Sequence, residues 1–388
     1  MRGEIAEEVA ERASRFGSLR FDEVLELALY HEEAGFYGAG SGSGRQGADF
    51  LTSPEVGPLF GTVIARALDQ WWADLGRPDP YVVVDAGAGS GALAVAVLGA
   101  RPECAPALRY VLVERSARWR ERQSRRLPLE PAGMVLGPTE VTDPDLGPQP
   151  TPGLGPLVTG LDELPPGPFE GVVLANELLD NLAFRLLERG ADTWLEVRVL
   201  PDLNELLVDA PDDAAAQGTA LAPDAAPGAR IPLQHQAKAW LRTALASLSA
   251  GRVVVIDYAD TTPSLARRPW TEWVRTYRGH TRGGHPLEHL GVQDITCEVA
   301  VDQLAHVAPP AHNRSQAEFL AAHGLHDLAE DARRRWHERA HIGDLEAMAA
   351  RSRVAEAAAL TDHAGLGAFR VLEWEVSEPG VRRAASVP

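Results

Sequence analysis

The stretch Tyr81-Val-Val-Val-Asp-Ala-Gly-Ala-Gly-Ser-Gly91 constrains the fold more than any other part of this 388-residue chain. A β-branched apolar run ending in an acid reads as a buried strand, and the glycines after it read as a tight turn that opens a helix from about Gly91. Glycine allows the turn and lets a ligand approach the backbone with no Cβ in the way. Gly87, Gly89 and Ala92 satisfy the G-x-G-x-x-G/A dinucleotide pattern. Asp85, Gly87, Gly89 and Gly91 equally satisfy D-x-G-x-G-x-G. The acid favours the second, because Asp85 would repel a nearby pyrophosphate and suits a ligand with a cationic end.

The chain then alternates strands and helices, which predicts a parallel sheet covered on both faces. Tyr110–Glu114 is the next strand, followed by a helix to about Arg126. Gly171–Ala175 is another, and Arg252–Tyr258 follows a helix around Gln234–Leu248. Phe184–Val208 reads as extra strand pairing inserted into this scheme. Residues 1–75 form a helical extension, with apolar positions at helical spacing in Phe21–Tyr30 and Val56–Trp72, and a flexible glycine loop at Gly38–Gly44 between them. The main domain is expected over 76–376, with surface loops at about 137–156 and 209–230 where Pro, Gly, Ala and Asp dominate. A disordered tail is expected at 377–388.

Glu114 ends its strand 23 residues after Gly91, where doubly wound folds place an acid for ribose hydroxyls. Asn176, Glu177 and Asp180 follow the Gly171–Ala175 strand, at the carboxyl end of the sheet where ligands of open α/β folds bind. Two carboxylates and an amide there could hold a cationic acceptor, although Asn176 and Asp180 could equally cap the next helix.

The formal charge of −18 excludes a phosphate backbone as the main partner. Two cysteines, neither in a CxxC pair, predict no disulfide framework and no structural zinc. His280, His285, His289 and Cys297 fit no standard metal spacing, and the tryptophans at 71, 72, 240, 270 and 273 read as packing. Four glutamates in Met1–Arg15 and the lack of an apolar run there argue against a signal or transit peptide. Tyr81–Ala100 is interrupted by Asp85 and glycines, so no membrane insertion is expected. The expected location is the cytoplasm.

Asp85-x-Gly87-x-Gly89-x-Gly91 resembles motif I of class I methyltransferases, and four further stretches resemble the MidA-like family of S-adenosylmethionine (SAM)-dependent methyltransferases, relatives of the mitochondrial complex I assembly arginine methyltransferase. They are Leu27–Tyr37 with Gly47–Glu55; Ala175-Asn-Glu-Leu-Leu-Asp180; Arg275–His280 with Gln293–Thr296; and Leu360–Gly367 with Phe369–Leu372. The resemblance implies a Rossmann-like class I methyltransferase core, SAM as cofactor, and an acceptor protein, in the best-known branch an arginine on a respiratory complex subunit. Carried over, Asp85, Gly87, Gly89, Gly91 and Glu114 would hold the cofactor, and Asp49, Thr52 and Ser53 would border its cleft. Asn176, Glu177 and Asp180 would face the acceptor, with His280 as a candidate proton acceptor. The chain departs from the family pattern at Gly57, Pro58, Thr62 and Asn181–Leu187, all on the acceptor side. Another protein, a small molecule, or a non-catalytic assembly role therefore stay open beside arginine.

Overall fold

The computed structural model describes residues 3–41, 52–137, 153–278 and 281–377. Asp49, His280, most of the 137–156 loop and the tail lie outside these residues. A seven-stranded sheet forms the centre. Its strands in chain order are β1 (Tyr81–Ala86), β2 (Leu108–Val113), β3 (Leu157–Leu161), β4 (Phe169–Asn176), β5 (Leu248–Asp257), β6 (His312–Ser315) and β7 (Arg370–Val376). In space they run β3-β2-β1-β4-β5-β7-β6. The first five are mutually parallel, and β7 is antiparallel to both of its neighbours.

Alternation along the strands explains the two covered faces. Tyr81, Val83, Tyr110, Leu112, Val172, Leu174, Val254 and Ile256 enter one core with the helix Pro58–Asp74 and the helices of the C-terminal part. Val82, Val84, Val111, Val173, Val253 and Val255 enter the other core with the helix His235–Ala246. Both faces are apolar, as parallel strands between two helix layers require.

The helices Glu4–Phe16 and Phe21–Tyr30 do not touch this sheet core. They share a separate apolar cluster with Phe184, Leu186, Val197, Val199, Trp273 and Ile295. Phe184–Val208 does supply strands: Arg185–Arg189, Trp194–Val199 and Glu205–Asp209 pair with one another in sequence order, and Leu19–Arg20 adds to Trp194–Val199.

The tract at 209–230 was expected to be a surface loop and is largely ordered. Asp212–Leu221 is a helix, and Arg230–Leu233 pairs with Arg185–Arg189. Alanine is the strongest helix former, and the small residues Ala214 and Gly218 leave room for the Trp194 ring. Compositional bias outweighed that propensity in the sequence reading. The strand Leu157–Leu161, at the end of the other Pro/Gly-rich tract, was likewise not anticipated. Among the described residues no helix is long and apolar enough to cross a membrane.

Candidate active site

The strand order reverses between β1 and β4, so the connections that follow them leave in opposite directions and open a crevice above their paired carboxyl ends. A cavity of about 440 Å³ lies there, within the range of small-molecule sites. Each nearby strand delivers a polar residue at its end. β1 leads to Asp85 and the glycine turn, β2 to Glu114, β3 to Asp162, and β4 to Asn176 and Glu177; all of them line the cavity.

The turn is built by backbone that only glycine adopts cheaply: Gly87, Gly89 and Gly91 have φ of 72°, 50° and 75°. It folds back on β2, with the N–H groups of Gly87 and Ala88 donating to Val113 O at 2.9 and 3.0 Å. Glu114 Oε2 accepts the Gly89 N–H at 2.9 Å, and Oε1 accepts the Ser116 N–H at 2.8 Å. A carboxylate oxygen has two lone pairs, so each oxygen keeps one for a ligand. Burial raises the Glu114 pKa, and these two bonds oppose the shift. A Cβ added at Gly89 would have only Gly87 O within reach, at 4.0 Å. Gly91 does not line the cavity; its missing Cβ faces Leu127 and Gln123 instead.

Asp85 is buried and accepts a hydrogen bond from the Tyr110 hydroxyl at 3.1 Å. Burial pushes its pKa up to about 7. A cation at this end of the cavity would favour the ionised form.

Beyond β4, Glu177 has φ 52°, a left-handed conformation uncommon for a long side chain. Its N–H donates to Ile256 O at 2.8 Å, which ties the turn to β5. Its carboxylate Oε1 accepts from Ser53 N at 3.2 Å and from Asn176 Nδ2 at 3.1 Å. Burial, then the nearby Asp257 carboxylate, raise its pKa to about 8. Asn176 Oδ1 is buried without a partner among the described residues. Thr52, Pro54, Glu55, Tyr30 and Tyr37 also line the cavity. The tyrosine rings stack with centroids 5.8 Å apart.

Asp180 does not line the cavity. It lies behind it, buried, with Asp257 and Asp294 near enough to raise its pKa further above the ordinary range, after desolvation. The helix-capping reading fails for Asn176 and Asp180 alike. Asp257 caps this turn, its Oδ2 accepting from Leu179 N at 3.0 Å and Asp180 N at 3.2 Å. Ser53 is also off the cavity wall, fully buried, although its N–H reaches Glu177.

Asp162 and Trp119, which no sequence motif singled out, line the cavity, and so does Trp240, whose spacing suggests packing. Asp162 follows an apolar strand as Asp85 and Glu114 do, and that repeated pattern was the available signal. Trp240 counted as packing, because helical spacing does not reveal which face of a helix meets a crevice. His285 pairs with Glu205 at 3.2 Å, and Cys297 is buried beside Gln234. Among the described residues no three His, Cys, Asp or Glu converge as metal ligands do.

Residues 63–319, more than half of the chain, match the family described as "Putative S-adenosyl-L-methionine-dependent methyltransferase". The chain belongs to this family. Its expected cofactor, SAM, is the one by which the family is defined. A Burkholderia thailandensis protein crystallised with S-adenosyl-homocysteine is 27% identical, with a TM-score of 0.74 over 98% of this chain and 96% of that one. A native crystal structure of a superfamily protein from the same organism is 26% identical, with the same TM-score and coverage. The class I methyltransferase architecture is therefore that of the chain as a whole. A mitochondrial "protein arginine methyltransferase NDUFAF7 homolog" of Drosophila melanogaster is 33% identical over 96 residues, 25% of this chain. That match spans 22% of the relative's own length.

Proposed function

We propose that the protein methylates a cationic nitrogen, in the first place an arginine guanidinium of an acceptor protein, using SAM held at the glycine turn. The observation that carries this reading is one cavity lined by both the open glycine turn and a half-buried, conformationally constrained carboxyl, Glu177. The arginine methyltransferase name of the Drosophila relative supports the acceptor class.

The residues present fit SAM. Gly89 leaves its side of the turn open, Glu114 keeps lone pairs for two ribose hydroxyls, and Asn176 Oδ1 lacks the partner that an ammonium group would supply. In this reading Asp162 accepts from the adenine amino group, and Asp85 faces the cationic methionine end. Bound SAM supplies a methyl group on an electron-poor sulfur.

The chain's own residues do the rest. A free guanidinium stays protonated to a pKa above roughly 12, so its nitrogens offer little lone pair. Glu177 accepts its N–H groups, fixes its plane and turns one nitrogen toward the methyl. The Tyr30 and Tyr37 rings form an aromatic wall that suits a flat cation. With SAM bound, methyl transfer would leave the C–S electron pair on the cofactor's sulfur, and the methylated guanidinium would shed one proton. Glu177 takes the released proton, for which a pKa of about 8 is well placed.

Calorimetry should show binding of both SAM and its demethylated product. Tritiated-methyl SAM, added with protein to an extract of a deletion strain, should label a protein whose digest contains methylarginine. The resemblance directs the search first to respiratory complex subunits. Label in small molecules alone would move the acceptor to that class, and binding without any transfer would leave an assembly role.

Replacing Glu114 by Gln should weaken SAM by about 1.5–3 kcal/mol, roughly ten- to a hundredfold. Measured with a 2′,3′-dideoxy analogue, the loss should nearly vanish. Equal losses for both ligands would mean that Glu114 acts only by bracing Gly89 and Ser116.

A further inference from the structure

Glu177 is held by a chain of buried polar contacts that starts far from the cavity. Ser53 donates its N–H to the Glu177 carboxylate, and its Oγ donates to Gln316 Oε1 at 3.0 Å. Gln316 is fully buried and opens the helix Gln316–Ala322. Its Nε2 donates to Leu360 O at 3.2 Å, and its backbone N–H donates to Phe369 O at 2.7 Å. The side-chain amide is thus used at both ends, which sets which atom faces Ser53.

The surroundings make this arrangement informative. Phe319, Leu320, Leu360 and Phe369 nearby belong to the large apolar core. An apolar side chain would fill this position without the cost of burying an amide and a hydroxyl. A second contact clamps the same segment: Glu356 Oε2 accepts the Leu59 N–H at 3.0 Å. Glu356 packs so closely that a Cβ on Gly57 would lie 2.2 Å from its carboxyl carbon. The C-terminal helices therefore grip residues 53–59 at two points. The Gln316 contact leads on to Glu177.

We propose that Gln316 is a positioning residue for Glu177: through Ser53 Oγ it holds the Ser53 N–H against Oε1 and so fixes how the carboxylate meets a guanidinium. The inference rests on Glu177 as the acceptor-binding carboxylate. Both described bonds to that carboxylate fall on Oε1, so they set its rotation and leave Oε2 outside the pair. The groups facing Glu177 are Asp257 on β5, the Tyr258 phenol just after it, Glu55 on the short helix Ser53–Val56, and Asp180 beyond its own turn. The carboxyls among them repel its charge, so the Ser53 and Asn176 N–H groups are what oppose repulsion there.

The test uses agmatine as the guanidinium probe, titrated by calorimetry into protein loaded with S-adenosyl-homocysteine. Ser53→Ala and Gln316→Leu should each weaken agmatine about tenfold and leave the SAM Kd within twofold. Each should also move the pH midpoint of agmatine binding upward, because a displaced Ser53 N–H supports the ionised carboxylate less well. The double variant should be no worse than either single one, since both break the same link. Ser53→Thr, which keeps the hydroxyl, should behave as wild type. An unmoved pH midpoint, additive losses, or equal losses of SAM and agmatine would overturn the inference. Glu177→Gln separates the two levels. If that variant binds agmatine normally, the reading of Glu177 fails. If it loses agmatine while the Ser53 and Gln316 variants keep it, only the positioning role fails.

Discussion

Replacing Glu177 by Gln should cut methylation of the labelled acceptor by about two to four orders of magnitude, the range for a lost general base, and leave SAM affinity within a few-fold. Gln is nearly isosteric and can still accept from Ser53 N, so the geometry at φ 52° is kept while the charge is removed. The pH behaviour carries the same signature. Glu177 has its pKa raised to about 8, so below that pH it is mostly protonated and attracts a cation poorly. In the wild type, kcat/KM for the acceptor should rise up to tenfold per pH unit and bend near pH 8. The kcat profile should bend lower, because the bound cation favours ionisation. Stability follows by linkage. Between the unfolded value near 4.3 and about 8 the folded state binds the extra proton, so wild-type stability falls as pH rises through that window. Glu177→Gln has no such term. Its unfolding free energy should match the wild type near pH 4 and exceed it above pH 8 by on the order of a few kcal/mol, read as a higher melting temperature there. A variant that melts lower at every pH would show that this carboxyl is already ionised in the folded protein.

Gly89→Val should abolish measurable SAM binding, a loss of at least about a hundredfold. Two effects act together. At φ 50° a β-branched residue is strained, by a cost of order 1–3 kcal/mol. Among the described residues beyond its chain neighbours, none comes within less than 4.0 Å of the added Cβ, so the branched side chain extends into space that the cofactor occupies in the proposed site. Gly91→Ala is the informative control. It is also left-handed, at φ 75°, but its Cβ would meet Leu127 at 3.3 Å, away from the cavity. Its effect should appear mainly in thermal stability, with SAM affinity reduced far less than for Gly89→Val. Paired melting curves and titrations on both variants check this. Loss of SAM in proportion to melting temperature for both would reduce the glycine turn to a folding element.

Local patterns made much of this protein legible. Valine runs predicted β1, β4 and β5, because a strand buried on both faces must be apolar throughout. Left-handed backbone at residues 87, 89 and 91 was readable from glycine spacing, because only glycine adopts it without strain. Acids at strand ends marked Asp85 and Glu114 for the same local reason. Tertiary structure alone decided which of the remaining carboxyls meet. Asp180 stands in the same short motif as Glu177, yet it is turned behind the cavity, and Asp257 of a different strand takes the capping role. Ser53 and Gln316 are 263 positions apart, and Tyr37 donates to Asp294, 257 positions away. No periodicity encodes such meetings. They follow from how the crossovers of the sheet, the inserted strands and the C-terminal helices bury their apolar faces. Packing brings buried polar groups together, and each must then find a hydrogen-bond partner.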